Sequence, residues 1–314
     1  MASLKEVKGR ITSVTSTQQI TRAMKMVAAS KLRRAQDNIT QMRPYAQKLS
    51  AILSNISATN DDASQNPFAK VRAVNRVLLI VITSDRGLCG AFNSNVIRAT
   101  NVLMEENYPA LVGRGDVHIL SIGRKGYENF SRRGFTVLGD HTGAFTALSF
   151  AKVRLAAEEA MQAFLEGRYD RVDIVYNEFK NVATQILRRE QFLPIQEIKK
   201  DEEAKNPTPG AAAGNAQRSA IQRTAAPQDD YIFEPSKERI FSELVPNTLK
   251  VQLYKAVLES NAAEHGARMT TMDKATDNAG ELLKQLKLVY NRTRQAAITK
   301  EILEIVGGAE ALAN

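Results

Sequence analysis

The residues 83–93, TSDRGLCGAFN, follow an apolar run and precede a helical pattern. A glycine turn in that position can aim backbone N–H groups at a phosphate. Gly87 and Gly90 do not form the dinucleotide fingerprint, however, and no Gly-Lys-Ser/Thr follows them. The stretch therefore reads as a tight strand-to-helix turn at a contact surface, with Asp85 and Arg86 pairing locally. Residues 122–130, IGRKGYENF, make a similar weak loop in which Gly123 and Gly126 permit close turns. Cys89 is the only cysteine, which excludes an internal disulfide and a cysteine metal cluster. With no histidine nearby to activate it, Cys89 reads as a packing residue. The three histidines have no paired ligand spacing, and no nucleophile turn with its triad partners is present. No catalytic residue, cofactor or metal is expected. The chemistry that remains is charge. Residues 15–36, TSTQQITRAMKMVAASKLRRAQ, carry Arg22, Lys25, Lys31, Arg33 and Arg34. Residues 1–60 hold ten Lys/Arg against two acids, Glu6 and Asp37, a net +8 out of +9 for the whole chain. Such a stripe predicts an acidic partner, either nucleic acid or an anionic protein surface.

The element that positions this stripe is a long helix. In a heptad register from Leu4 to Ile56, thirteen of sixteen seam positions are apolar, a sustained coiled-coil signal. At 1.5 Å per residue the helix is about 80 Å long. Pro44 removes one backbone donor without interrupting the pattern. The exceptions, Gln18, Thr21 and Lys25, are consecutive along the seam, while Ile20, Met24, Met26 and Val27 point elsewhere. Those off-seam apolar groups call for a second partner surface. A matching register runs from Leu244 through Lys255, Leu258, Ala262, His265, Met272 and Thr276 to Ala297, with His265 expected as a packed core histidine. Past Ala297 the stripe widens to Ile298, Ile302, Ile305 and Leu312, with Leu303 and Val306 beside them. A helix apolar on most sides is enclosed rather than laid on one partner. The two helices pair antiparallel if both join one compact middle domain, and the C-terminal helix then overhangs as a single apolar tip.

The middle reads as a small α/β domain. Strand signals lie at 76–85, 116–123, 135–139, 171–179 and 184–194, with helical stretches near 92–107, 124–133 and 147–166. Strand–helix–strand spacing implies a doubly wound, mostly parallel sheet, and the last two strands a hairpin. The chain divides into an N-terminal coiled-coil helix (1–60), an α/β base (70–198), an Ala/Gly/Pro-rich insertion (199–230) read as flexible surface, and the C-terminal helix with its tip (236–314). No run of eighteen apolar residues is present, so nothing is expected to span a membrane.

Three long motifs, in order, carry a resemblance. They are ITSVTSTQQITRAMKMVAASKLRRAQ (11–36) with RPYA (43–46), TSDRGLCGAFN (83–93), and residues 259–312 from ESNAAEHGARM to VGGAEAL. The chain resembles the gamma subunits of F-type ATP synthases, the central rotor shafts of the F1 part, and the resemblance covers nearly its whole length. It implies an antiparallel coiled coil on a doubly wound α/β base, with no catalysis of its own. The catalytic residues belong to the beta subunits, whose sites are driven in turn by rotation of the shaft. The resemblance implies that Ile298, Ile302, Ile305 and Leu312 turn in an apolar sleeve of alternating alpha and beta subunits. It places Met24 against an acidic lever loop of beta, and Arg294 with Gln295 on a beta catch loop. Lys25, Arg33 and Arg34 would complement the acidic surface by charge. The base would grip the epsilon subunit and the membrane ring of c subunits. The expected location is peripheral, on the cytoplasmic face of a bacterial inner membrane, since the start at Met1 shows neither signal run nor transit segment. Two departures stand out. The insertion at 199–229 is longer than in many relatives, and Cys89 alone cannot form the thiol switch of plant chloroplast forms.

Two other classes compete. A coiled-coil nucleic-acid binder would use the basic stripe, but residues 1–60 offer only Tyr45 for base stacking. A nucleotide-binding enzyme of the middle domain lacks its fingerprint.

Overall fold

The computed structural model describes residues 3–59, 67–146, 148–182, 184–195 and 237–313. In order, the elements are α1 (Leu4–Thr59), β1 (Val77–Ile82), α2 (Phe92–Asn107), α3 (Pro109–Arg114), β2 (Val117–Ile122), α4 (Arg124–Arg132), β3 (Val137–His141), α5 (Phe150–Leu165), β4 (Arg171–Phe179), β5 (Gln185–Leu193) and α6 (Lys237–Ala313). The 199–230 insertion lies outside the described residues.

The sheet order is β3-β2-β1-β4-β5. The first four strands are parallel, and β5 returns antiparallel on β4. Strand β1 is central, and every one of its residues is buried. Its alternation sends Leu78, Ile80 and Ile82 to a core shared with α5 and the start of α6. Val77, Leu79 and Val81 face the opposite core, built with α2, α3 and α4. A strand covered on both faces is why Arg76–Asp85 reads as a continuous apolar run rather than an alternating one. Strand β3 is displaced from the expected 135–139. Phe135 instead turns into the core, edge-on to Phe130 at 5.9 Å between ring centroids.

The heptad seam of α1 is the face that packs on α6. Val7, Ala28, Leu32, Ala35, Ile39 and Leu49 are buried, and the seam positions between them are half-buried. Leu32, Ala35 and Ile39 meet Leu258 and Ala262, whereas Gln18 meets Thr276. Numbers rise on one helix as they fall on the other, so the pair is antiparallel. The expected seam on α6 is corrected at its start, where Lys255 is exposed. Val245, Leu249, Leu253, Ala256 and Val257 cover the sheet instead, because that face of β1 and β4 would otherwise stand open to water. Met42, Arg43 and Ala46 of α1 still line a groove with Lys255 and Leu258 there, so α1 and α6 remain side by side before Leu258, along a less buried face. At the far end Leu4 and Thr293 are the last half-buried residues, and α6 from Arg294 to Ala309 is exposed on all sides.

One glycine fixes how the β2–α4 turn approaches β1. Gly123 has φ of 103°, and a Cβ there would stand 2.0 Å from the Thr83 carbonyl oxygen. Gly123→Ala is expected to lower stability by at least about 3 kcal/mol, since it combines a left-handed backbone with a backbone clash. A denaturation midpoint unchanged from the parent would contradict this account of the turn.

Candidate functional site

The loop 83–93 lies at the carboxyl ends of the strands. In open doubly wound sheets, ligands enter there, where the strand order reverses, which in this sheet is between β1 and β4. Helix α6 fills that crevice. Ala263 and Ala267 pack on Cys89 and Phe92, and a Cβ on Gly266 would touch the Phe179 ring at 3.4 Å. Small residues are required for a helix to come this close. The Asn177 side-chain amide donates to the Phe92 carbonyl at 3.2 Å, and the Phe179 N–H donates to Glu259 at 3.3 Å. The glycine loop thus cradles a helix of its own chain where a phosphate loop would cradle an anion.

The loop is held by its own side chains. Ser84 N–H and the Ser84 hydroxyl donate to Asn93 Oδ1 at 2.9 and 3.0 Å. Asp85 does not pair with Arg86, contrary to expectation. Its carboxylate accepts from the Arg124 and Gly143 N–H groups at 3.1 and 3.0 Å, and from the Thr146 hydroxyl at 3.1 Å. Three loops are tied together by one acid, a use that local sequence spacing does not reveal. From α6, Arg268 donates to the carbonyls of Arg86 and Gly87 at 3.4 and 3.2 Å, and lies 2.6 Å from Glu264. Burial raises the Glu264 carboxyl, and Arg268 opposes that shift. Cys89 is buried with its thiol pushed up, chiefly by burial, as fits a packing residue. His265 is buried beside Arg268 and Lys31. Burial first, then those two cations, lowers it to about 4.

The three polar seam positions of α1 find polar partners on α6. Gln18 donates to the Thr276 carbonyl at 3.4 Å, Thr276 donates to the Thr21 hydroxyl at 2.8 Å, and Lys25 pairs with Asp273. Lys25 is therefore engaged within the chain rather than free for an outside acid. Polar layers of this kind fix register in coiled coils, because any slip strands them against apolar groups.

The other residues singled out in the sequence are surface groups. Arg33 and Arg34 are exposed and have no ion-pair partner among the described residues. Met24 is half-buried beside Ile20 and Val27, which are 60 % and 57 % exposed. Arg294 and Gln295 are exposed at the root of the overhang. Ile298, Ile302 and Ile305 follow at 48, 55 and 68 % exposure. Leu312 lies on the same helix, and its side chain is outside the described residues. Sequence reasoning missed Arg268, Glu264 and Asp273. The i,i+4 spacing of Glu264 and Arg268 was the available signal.

A family model described as ATP synthase matches residues 3–312. An ATP synthase gamma chain of Cytophaga hutchinsonii is 57 % identical over 314 residues, covering 100 % of both chains. That of Flavobacterium psychrophilum is 50 % identical over 312 residues, covering 99 % of each. The chain belongs to the ATP synthase gamma-chain family. Among solved structures, a chain of the Euglena gracilis mitochondrial ATP synthase superposes with a TM-score of 0.62 at 20 % identity, covering 98 % of this chain and 94 % of that one. A chain from the central stalk and c-ring of the Tetrahymena thermophila enzyme gives 0.53 at 24 %, covering 82 % and 99 %. The likeness to these solved chains is one of fold. Among the described residues, no helix is long and apolar enough to cross a membrane, and no cluster of acids, histidines and cysteine could hold a metal.

Two expectations test this joint. A double-mutant cycle on Lys25→Met and Asp273→Leu should give a coupling of about 0.5 kcal/mol, shrinking with salt, because both groups are partly exposed. No coupling at low salt would remove the pair from the register device. His265 is neutral in the fold and has a lowered pKa. Its contribution is present above pH 6.5 and is lost as pH falls toward about 4. Buried Glu264 and Glu259, with raised pKa values, act in the opposite sense. Across that interval the parent should therefore lose roughly 3 kcal/mol relative to His265→Gln. Parallel stability curves for the two proteins would contradict the assignment.

Proposed function

We propose that this gamma chain divides its work among three surfaces. As a member of its family it couples rotation of the membrane c ring to the nucleotide sites of the beta subunits, and it has no catalytic site of its own. The overhang from Arg294 onward is the bearing. Ile298, Ile302, Ile305 and Leu312 turn inside an apolar sleeve of alternating alpha and beta subunits. Apolar contact has little directionality and tolerates sliding, whereas a charge-assisted hydrogen bond must be broken and remade at each step. At the root of the bearing, Arg294 and Gln295 meet a beta catch loop, where a guanidinium fork fits a backbone or carboxylate acceptor. The second surface is the outer face of α1. Met24, Arg33 and Arg34 meet the acidic lever of beta, and Lys25 borders it while bound to Asp273. The third is the α/β head, which holds the epsilon subunit and the c ring. The assembly is peripheral, on the cytoplasmic face of a bacterial inner membrane.

The observation that carries this reading is the unpaired apolar overhang. About 30 Å of helix leaves the coiled coil at Arg294 with isoleucines 48–68 % exposed, which a chain working alone has no reason to keep. The test is Ile302→Asp with Ile305→Asp, followed in the isolated chain and in the reconstituted alpha–beta–gamma complex through a rotating probe on the head. Folding of the isolated chain should change by less than about 0.5 kcal/mol, while torque and rotation-coupled ATP turnover fall severalfold. Arg294→Ala should weaken coupling without affecting folding. Unchanged torque in both variants would overturn the bearing assignment.

A further inference from the structure

Helix α6 leaves the head through a collar. Every residue from Ala256 to Ala267 is buried, so the helix is enclosed on all sides there. Most of the lining is apolar and small. Leu258 and Ala262 lie on α1, Ala256 and Val257 on the sheet core, and Ala263 and Ala267 on Cys89 and Phe92. Alanine faces permit close approach but interlock poorly, and apolar contact has little direction. Such a lining holds the helix against lateral motion and resists roll about its own axis only weakly.

One side of the collar carries Glu259, whose side chain is 4 % exposed. Its Oε2 accepts from the Phe179 N–H at 3.3 Å, and its Oε1 lies 3.7 Å from Nη2 of Arg43. Phe179 closes β4, and Arg43 stands on α1. A single carboxylate on α6 thus touches the sheet and the other shaft helix at the point where the shaft emerges. Neighbouring charges leave it that task. Glu178 is taken by Arg188 at 2.6 Å, and Lys255, one turn earlier on α6, is exposed. Burial raises the Glu259 carboxyl, and Arg43 opposes that shift. A leucine would fill the site without taking a charge out of water, so packing alone does not call for an acid. Buried ionic groups add little stability, and their best-attested use is to fix geometry. The polar layers at Gln18, Thr21 and Lys25 cannot do this work. They join α1 to α6 alone, and Lys25 is about 27 Å of helix away from Arg43. We propose that Glu259 is a positioning residue for rotary coupling, the key that stops both shaft helices from rolling in the head. The proposal rests on the coupling role set out above. Torque entering at the head passes into α6 through the Phe179 bond and into α1 through the Arg43 pair, so the three bodies turn together.

The test uses the full chain carrying Cys89→Ser, with spin labels on cysteines placed at the exposed Gln41 of α1 and Gln162 of α5. The parent should give one narrow distance. Glu259→Leu, Glu259→Gln and Arg43→Leu should each widen the distribution about twofold, and Arg43→Lys, which keeps the cation, should leave it narrow. Glu259→Gln retains an acceptor for Phe179, so widening there isolates the tie to α1. In Glu259→Leu the cation left behind is exposed, so the thermal midpoint should stay within about 4 °C of the parent. In a second arm the variants are assembled with alpha and beta subunits, and the angular variance of a probe on the head is read while the complex pauses. Glu259→Leu should raise that variance about twofold. Equal distance widths in parent and variants would overturn the proposal, as would widening that only tracks a fall in the thermal midpoint. Wider distances with an unchanged angular variance would leave a contact with no part in coupling, which also overturns it. Ile302→Asp with Ile305→Asp should leave the label distance narrow, so failure of the key and failure of the bearing reading are told apart.

Discussion

The close approach of α6 to the carboxyl ends of β1 and β4 is the contact on which the rest of the molecule depends. It requires Ala263, Gly266 and Ala267 on the helix and a loop of small and locked residues beneath them. Larger groups at those positions would lift the helix off the sheet. Apart from the buried Ser260 hydroxyl, which has no partner among the described residues, the polar groups named along this stretch of α6 are satisfied inside the joint. Glu259 accepts from Phe179, and Arg268 serves Glu264 and two loop carbonyls. A buried polar group without a partner costs on the order of 1–3 kcal/mol, so these pairings are a condition of the joint and do not merely embellish it.

With α6 fixed to the head, α1 needs only one face to find its place. The apolar seam supplies attraction without a unique alignment, since apolar steps along a helix are nearly equivalent. Gln18, Thr21 and Lys25 against Thr276 and Asp273 supply the alignment. The same layers make this part of the seam weaker than an all-apolar one. Stability is given up in the middle of the coil in return for a single register.

Most of the architecture was legible because it rests on periodicity. The heptads of α1, the fully buried run of β1 and the widened apolar band after Ala297 each report a local environment that repeats along the chain. What escaped were contacts between segments distant in sequence. Asp85 reads as half of a local pair with Arg86 because its true partners are backbone N–H groups some forty to sixty residues away. Lys25 reads as a polar seam position whose charge complements an outside acid, because its acid, Asp273, lies on the other long helix. Lys255 fits the heptad count and lines a groove with Ile39, Met42 and Ala46 of α1, yet the buried side of α6 in this stretch is the one turned to the sheet. The glycine loop reads as a tight turn at a contact surface, but nothing local says what the contact is. Only the tertiary arrangement reveals that a helix already occupies the space.

Helix α6 runs unbroken from the sheet core at Val245, through the seam, to the exposed isoleucines. A twist imposed on the head therefore reaches the far end along one covalent backbone and its ladder of hydrogen bonds, without crossing a joint that could slip. Helix α1, which stops short, acts as a splint over the middle of that path. The compliance of such a drive train is greatest where the splint ends, at Arg294, so elastic energy would gather at the neck rather than at the clutch between helix and sheet.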